Sequence, residues 1–184
     1  VDLLRKSGWV PFTEEVRDVR LSDDQLQKIG GALATMEESG KESPYTIAAV
    51  RLLFFTGRRL REILNLEWSQ VDLDGRILRI EKHKTDKDTG VLKTPLNDAA
   101  LAVLQSLPRL IYLQDGVEVE HPFVLPGAQP GRPINDLKKF WGRLVKIAGL
   151  EKVENESGGM TTLRRHDLRH AHGNAAADLE MGLQ

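Results

Sequence analysis

The apolar positions of this chain fall into runs with two different periods. Between Leu21 and Gly40, the residues Leu26, Ile29, Leu33 and Met36 recur at spacings of three, four and three, which places them on one helix face. Ser22 stands where an N-cap belongs, Asp23 and Asp24 fill the first turn, and Gly40 ends the pattern. The stretch "SPYTIAAVRLLFFTG" opens with Ser43 as a cap and Pro44 at the first helical position, and Gly57 closes it. It is apolar nearly all round, which predicts a helix inside the core. "RRLREILNLEW" predicts a short helix with Ile63, Leu64 and Leu66 inward and Trp68 plugging its end. The period then changes to two. "RILRIEK" and "GVLKTPL" flank the polar, lysine-rich "HKTDKDTG", which predicts a β-hairpin.

Helical spacing returns in "NDAALAVLQSLPRL", with apolar residues at 100, 101, 104 and 107. "HPFVLPGAQPGRP" is rich in proline and glycine and predicts a loop, with "FVL" a candidate short strand. "INDLKKFWGRLVKIAGL" predicts a helix with Leu137, Phe140, Trp141, Leu144 and Ile147 on one face, ended by Gly149. "EKVENESGGM" is polar and is expected to be a mobile connection, after which a last helix begins near Asp167. No internal repeat is visible. The expected fold class is mainly α with a small antiparallel β-sheet (α+β). Residues 1–20, patternless, are expected to form a linker or arm, and 21–184 the domain.

Composition narrows the picture. A chain of 184 residues can build one good core. It has no cysteine, which excludes a disulfide framework and a thiolate metal site and fits a cytoplasmic protein. Its start lacks the apolar core of a signal peptide, and its most apolar stretch is too short to span a bilayer and carries Arg51. The first residue is Val, so the chain is expected to be a piece of a longer protein. Net charge is −1, so there is no global field for a polyanion. The distribution is uneven, however. Residues 13–42 carry eight acids against four bases, and residues 134–170 carry eight bases against five acids. Arg51, Arg58, Arg59 and Arg61 form a further basic cluster. Any polyanion site is therefore a local patch.

The densest candidate chemistry is "HDLRH". His166 and His170, four residues apart, share one helix face, and the stretch mimics the zinc motif H-E-x-x-H. Asp167 is one methylene shorter than the glutamate that motif needs, and Arg169 would set a fixed positive charge beside the cation. No third ligand follows, so no metal is expected. A helix carrying satisfied histidines is the plainest alternative. The third reading is an anion site. A guanidinium grips two phosphate oxygens in a fork, and an imidazole moves protons near neutral pH.

"TGRRLREILNLEWSQVD" follows the pattern T-G-x-R-x-x-E-hydrophobic-x-x-L-x-W-x-x-[IV]-D. A lysine-bearing hairpin loop, "KHKTDKDTG", and H-x-L-R-H, here "HDLRH", follow in order. Together these resemble the catalytic domain of tyrosine recombinases, the phage integrase family. The landmarks between them, "KTPLNDAALAVL", "HPFVLPGAQPGRPIND" and "LKKFWGRLVKIAGL", resemble that domain too, so the likeness runs from about Leu21 to Gln184. The resemblance implies site-specific DNA recombination, integration or excision, without metal or other cofactor, through a 3′-phosphotyrosine intermediate. It implies that Arg59 and Arg169 clamp the scissile phosphate and that Lys84 gives a proton to the departing 5′-oxygen, with Lys82 and Lys87 as rivals for that role. His166 then moves the proton of the attacking oxygen, Glu62 braces the arginine site and His170 supports it. Arg58, Arg61, Lys82, Lys87, Arg164 and Arg165 are candidates for contact with the DNA backbone. The implied partners are double-stranded DNA and, on it, a homotetramer of the whole protein.

Two departures stand out. Arg61 occupies a position where the family usually has a small residue, beside the extra charge of Arg58. Tyr45 and Tyr112, the chain's two tyrosines, do not match the position of the family's nucleophile, and fifteen residues follow Arg169. The catalytic domain is thus expected to be C-terminally incomplete and this chain inactive alone. The alternative function is a non-catalytic DNA-binding module on the same fold.

Overall fold

Residues 19–81 and 90–172 are described by the structure, a computed structural model of the chain. Most of the expected N-terminal arm and all three candidate lysines of the hairpin loop, Lys82, Lys84 and Lys87, lie outside the described residues. Val19 is already buried in the core.

Helix α1 (Asp23–Glu38) forms where the apolar stripe predicts it. The Ser22 hydroxyl accepts from the Gln25 amide and the Gln25 side chain accepts from the Ser22 amide, a reciprocal box that satisfies two amides the helix leaves over. Ile29, Ala32, Leu33 and Met36 are buried. Helix α2 (Pro44–Thr56) is the core element, with Ile47, Ala49, Leu52 and Leu53 all buried. Ser43 holds the N-cap position without a side-chain capping bond, and Pro44 at the first turn has no amide to satisfy. Gly57 ends α2 at φ 60° and turns the chain into α3 (Leu60–Leu64), a single turn with Ile63 and Leu64 buried. Leu66, beyond the helix end, is buried as well. Trp68 starts a 3₁₀ turn and is half-buried, with the Arg109 guanidinium 4.0 Å over its ring.

The predicted hairpin is β2 (Ile77–Glu81) against β3 (Val91–Pro95), and β1 (Val71–Asp72) adds a third antiparallel strand on the outer side of β2. Leu78 faces Thr94 and Ile80 faces Leu92 in register, and Leu78, Ile80 and Thr94 are buried. Asp72 accepts from the Gly75 amide and pairs with Arg79, each at 2.7 Å, which holds its carboxyl below the usual range. Helix α4 (Asp98–Ser106) is capped by Asn97, which accepts from the Ala100 amide at 2.8 Å. It packs on α2, which also contacts α1 and α3. Helix α5 (Lys138–Ile147) packs on α1, and a forked ion pair from Arg143 to Glu42, both bonds 2.8 Å, ties it to the α1–α2 connection.

Several expectations change. "IYLQDGVEVE", absent from the predicted elements, is a second hairpin, β4 (Ile111–Gln114) with β5 (Val117–Glu120). Its turn is made by Asp115 and Gly116 at φ 52° and 82°, the conformation that a two-residue hairpin turn requires. "FVL" forms no strand, only an isolated bridge from Phe123 to Glu67. Ile147 does not join the buried face of α5. It is 53% exposed, and Val145 packs in the core instead. The stretch expected to be mobile contains β6 (Val153–Glu154) paired with β7 (Met160–Thr161), and Val153 is buried. Residues 167–172 are helical, as the sequence suggests. Among the described residues no helix is long and apolar enough to cross a membrane.

Candidate active site

Two corners of the chain meet at a cavity of about 420 Å³. The first is the exit from α2. The Thr56 hydroxyl donates to the Leu52 carbonyl at 2.6 Å and accepts from the Arg58 amide at 3.4 Å. Gly57 takes the left-handed conformation between them, where a side chain would be strained. After this turn Arg58 and Arg59 part company. Arg58 is half-buried and lines the cavity. Arg59 is exposed, its backbone amide donating to the Glu62 carboxylate at 3.0 Å and its guanidinium 3.7 Å from the same carboxylate. The Glu62 side chain is only 9% exposed, so this carboxylate joins the start of α3 to the arginine that precedes it.

The second corner is the entry to the last helix. The indole of Trp141, on α5, donates to the Leu163 carbonyl at 3.0 Å and pins the segment before the histidine motif. The Asp167 carboxylate, almost fully buried, accepts from the Arg164 amide at 2.7 Å. The turn before the helix brings His166 to the cavity and the helix brings Arg169, while Leu168 and Ala171 anchor the helix in the core.

Among the described residues, five cationic side chains line the cavity, namely Arg58, Lys138, Arg164, Arg165 and Arg169, together with His166 and no carboxylate. In a chain of net charge −1, this is a concentrated positive site. Burial lowers the pKa of Arg58. The neighbouring Arg169 and Arg59 lower it further, and Glu62 opposes them. Burial likewise pushes His166 below its ordinary value, helped by His170 and Arg169 and opposed by Asp167. The His166 and His170 rings meet edge to face with centroids 4.9 Å apart.

Of the residues singled out in the sequence, the cavity thus gathers Arg58, Arg164, Arg165, His166 and Arg169. Arg59, Glu62 and His170 are not among its lining residues, though Glu62 and Arg59 act on Arg58 and His170 acts on His166. Arg61 turns to another partner, donating to the Asn135 carbonyl at 2.9 Å. Lys138 is a lining residue that sequence reasoning missed. It sits in the first turn of α5, one turn before the Trp141 that holds Leu163, a placement visible only once the two segments are packed. The Tyr45 hydroxyl donates to the Pro108 carbonyl and the Tyr112 hydroxyl bonds Gln114, both at 3.1 Å, and neither tyrosine lines the cavity. Among the described residues no group of three His, Asp or Glu side chains could hold a metal ion.

The profile of the Phage integrase family matches residues 19–183, and the chain belongs to that family. Among solved structures it is similar to XerA recombinase, at 21% identity and TM-score 0.60, over 92% of this chain and 53% of that one. It is also similar to the Tn1549 transposon integrase in complex with circular intermediate DNA, at 20% identity and TM-score 0.62, over 90% of this chain and 56% of that one. A lambda integrase dimer bound to a COC′ core site gives 20% identity and TM-score 0.59, over 91% of this chain and 55% of that one. The chain spans about half the length of these structures, and at such identity the likeness establishes the fold. None of the curated proteins compared with the chain matches it.

Proposed function

We propose that residues 21–184 belong to the catalytic domain of a site-specific DNA recombinase that breaks and rejoins strands through a 3′-phosphotyrosine intermediate. One observation carries the reading: a cavity whose described lining residues include five cations, a histidine and no carboxylate, in a chain of the phage integrase family. An acceptor for such a site is a polyanion, and double-stranded DNA is the one the family resemblance names.

When a phenol attacks a phosphodiester, negative charge grows on the non-bridging oxygens. The Arg169 guanidinium, which lines the cavity, opposes that charge, and a donor already in place costs no reorganisation as it develops; the family resemblance assigns Arg59, which stands outside the lining beside Glu62, to the same charge. His166 is neutral at pH 7 because its pKa lies below the ordinary value, so it is ready to accept the proton of the attacking hydroxyl. Lys84 supplies the proton for the leaving 5′-oxygen. Glu62 holds the arginine corner together, and His170 lowers the basicity of His166. The phosphotyrosyl bond conserves the energy of the broken phosphodiester, so rejoining needs no nucleotide cofactor. The whole protein would work as a tetramer on DNA.

The test is a suicide duplex carrying a nick near the cleavage point, incubated with a form of the protein that includes the family's tyrosine. The expected result is a protein–DNA band that survives denaturation and disappears in Arg169→Ala. A band of equal strength in Arg169→Ala, or salt-insensitive binding to duplex DNA, would overturn the reading.

A further inference from the structure

Two guanidinium groups of the cavity keep a donor that the protein does not satisfy. Arg58 Nε and Arg165 Nη1 are both buried from solvent and have no hydrogen-bond partner among the described residues. A buried donor left unpaired is costly, and more so when it belongs to a charged group. The side chains come from different corners, one from the α2 exit and one from the segment that Trp141 pins, yet both line the same cavity. Arg169 lines it too, and its charge acts on Arg58. Like charges gathered around one space, with no carboxylate among its described lining residues, repel one another until an anion enters. By contrast, the neighbouring Arg59 is drawn toward Glu62, and Arg61 is bonded to the Asn135 carbonyl. The surface arginines Arg51 and Arg143 are forked onto Glu37 and Glu42. Orphaned donors among the described arginines thus coincide with the cavity.

We propose that Arg58 and Arg165 are phosphate-binding residues of this cavity, each giving its unpaired donor to a non-bridging oxygen of a DNA phosphodiester, in addition to the arginines that the family resemblance assigns. The inference rests on the reading of the chain as a DNA-acting recombinase. Arg58 occupies the variable position of T-G-x-R, so this contact is a property of this chain's own side chain. Arg58 also lines a second cleft with Thr94 and His172, which places its stem between the cavity and the sheet.

Binding of a random-sequence duplex by the full chain, measured across a salt series, tests this. Each phosphate contact contributes roughly 0.9 to the slope of log affinity against log salt. Arg58→Met and Arg165→Met keep an apolar stem and remove the charge. Each is expected to weaken binding about tenfold, as for a lost charge-assisted hydrogen bond, and to flatten the slope by about one. Arg51→Met removes an equal charge outside the cavity and is expected to leave the slope unchanged. Should Arg58→Met or Arg165→Met fail to fold by circular dichroism, the glutamine variant at that position is read in the same way. If Arg169→Met flattens the slope but the Arg58 and Arg165 variants do not, the inference is overturned and the DNA reading stands. A flattening as large in Arg51→Met would also overturn it, as a general charge effect. If none of the variants changes the slope, the DNA reading itself fails.

Discussion

The two corners that frame the cavity are built alike and deliver different residues to it. In each, an arginine pair precedes a carboxylate that reaches back three residues to a backbone amide. Glu62 reaches Arg59 at 3.0 Å and Asp167 reaches Arg164 at 2.7 Å. The difference lies in which arginine the carboxylate captures. Glu62 captures the second of its pair, so Arg59 stays outside with its cap and Arg58, one residue earlier, goes inside. Asp167 captures the backbone amide of the first of its pair, and Arg164, Arg165 and His166 all line the cavity. The adjacent arginines of the first corner therefore have opposite surroundings, while both arginines of the second line the cavity.

The sharpest way to break that comparison is through the rate of strand cleavage. Arg169→Ala is expected to lower it about 100- to 1000-fold, the usual cost of removing one preorganised charge contact from a transition state. Arg59→Ala should cost as much if the family's assignment of that arginine holds here. A loss under tenfold in Arg59→Ala, together with a 100-fold loss in Arg58→Ala, would exchange the parts of the two residues. Cleavage of a suicide duplex under single-turnover conditions measures both.

The next effect is on stability, at the hinge of the first corner. Gly57 has φ 60°, and a Cβ there would lie 2.5 Å from Cδ2 of His172. Gly57→Ala therefore combines left-handed strain of about 1–2 kcal/mol with a steric overlap. A loss of at least about 2 kcal/mol in urea denaturation is expected. Adding His172→Ala should recover the overlap and leave the strain. Full recovery in the double variant would show that the contact, and not the backbone, makes glycine necessary.

The parts of this molecule that could be read in its sequence are those governed by neighbours in the chain. The Ser22 box, the Gly57 stop and the helix start at Asp167 all depend on residues within four positions of one another. The core stripes of α1 and α2 follow the same logic. What escaped needs partners far away. The β4–β5 hairpin carries a clear Asp-Gly turn, but its strands cover little core: Ile111, Leu113 and Val117 are exposed, so burial did not shape their alternation. The β6–β7 strands are two residues each, too short to show a period. The buried face of α5 was drawn through Ile147 because its spacing fits, whereas packing against α1 turns the helix toward Val145. The histidine and second arginine of the cavity were legible from one motif. That Arg58 lies inside it was not, because nothing local distinguishes two consecutive arginines until the turn and the cap are both in place.

The carboxylates of the two corners should differ in what they contribute. Asp167 is 3% exposed and Glu62 is 9% exposed in its side chain. Loss of a helix-start acceptor costs about 0.5–2 kcal/mol. Asp167→Ala is expected near the upper end and Glu62→Ala near the lower, because both amides belong to exposed residues and the Asp167 carboxylate is the more deeply buried acceptor. Equal losses in thermal denaturation would mean that burial does not separate the corners.

The smallest expected effect is the titration of His166, and its sign follows from what surrounds the ring. Burial, the His170 ring and the Arg169 charge all disfavour the imidazolium, and Asp167 alone favours it. Arg58, Lys138, Arg164 and Arg165 add positive charge around the same cavity. An unfolded chain protonates this histidine near pH 6.5. The folded chain protonates it at lower pH. Between those two midpoints the unfolded state holds more protons, so stability contributed by His166 is present above about pH 6.5 and declines as pH falls toward the folded midpoint. The loss is modest, because the residue is exposed overall and its ring only partly desolvated, so solvent screens its charge. Its midpoint, followed by the ring-proton shifts in nuclear magnetic resonance, should lie below that of a free histidine. His170→Ala should raise it part of the way back, since burial and Arg169 remain. A midpoint that does not move in His170→Ala would mean that the edge-to-face pair in the second corner carries no electrostatic coupling, leaving the arginines and burial alone to keep His166 neutral.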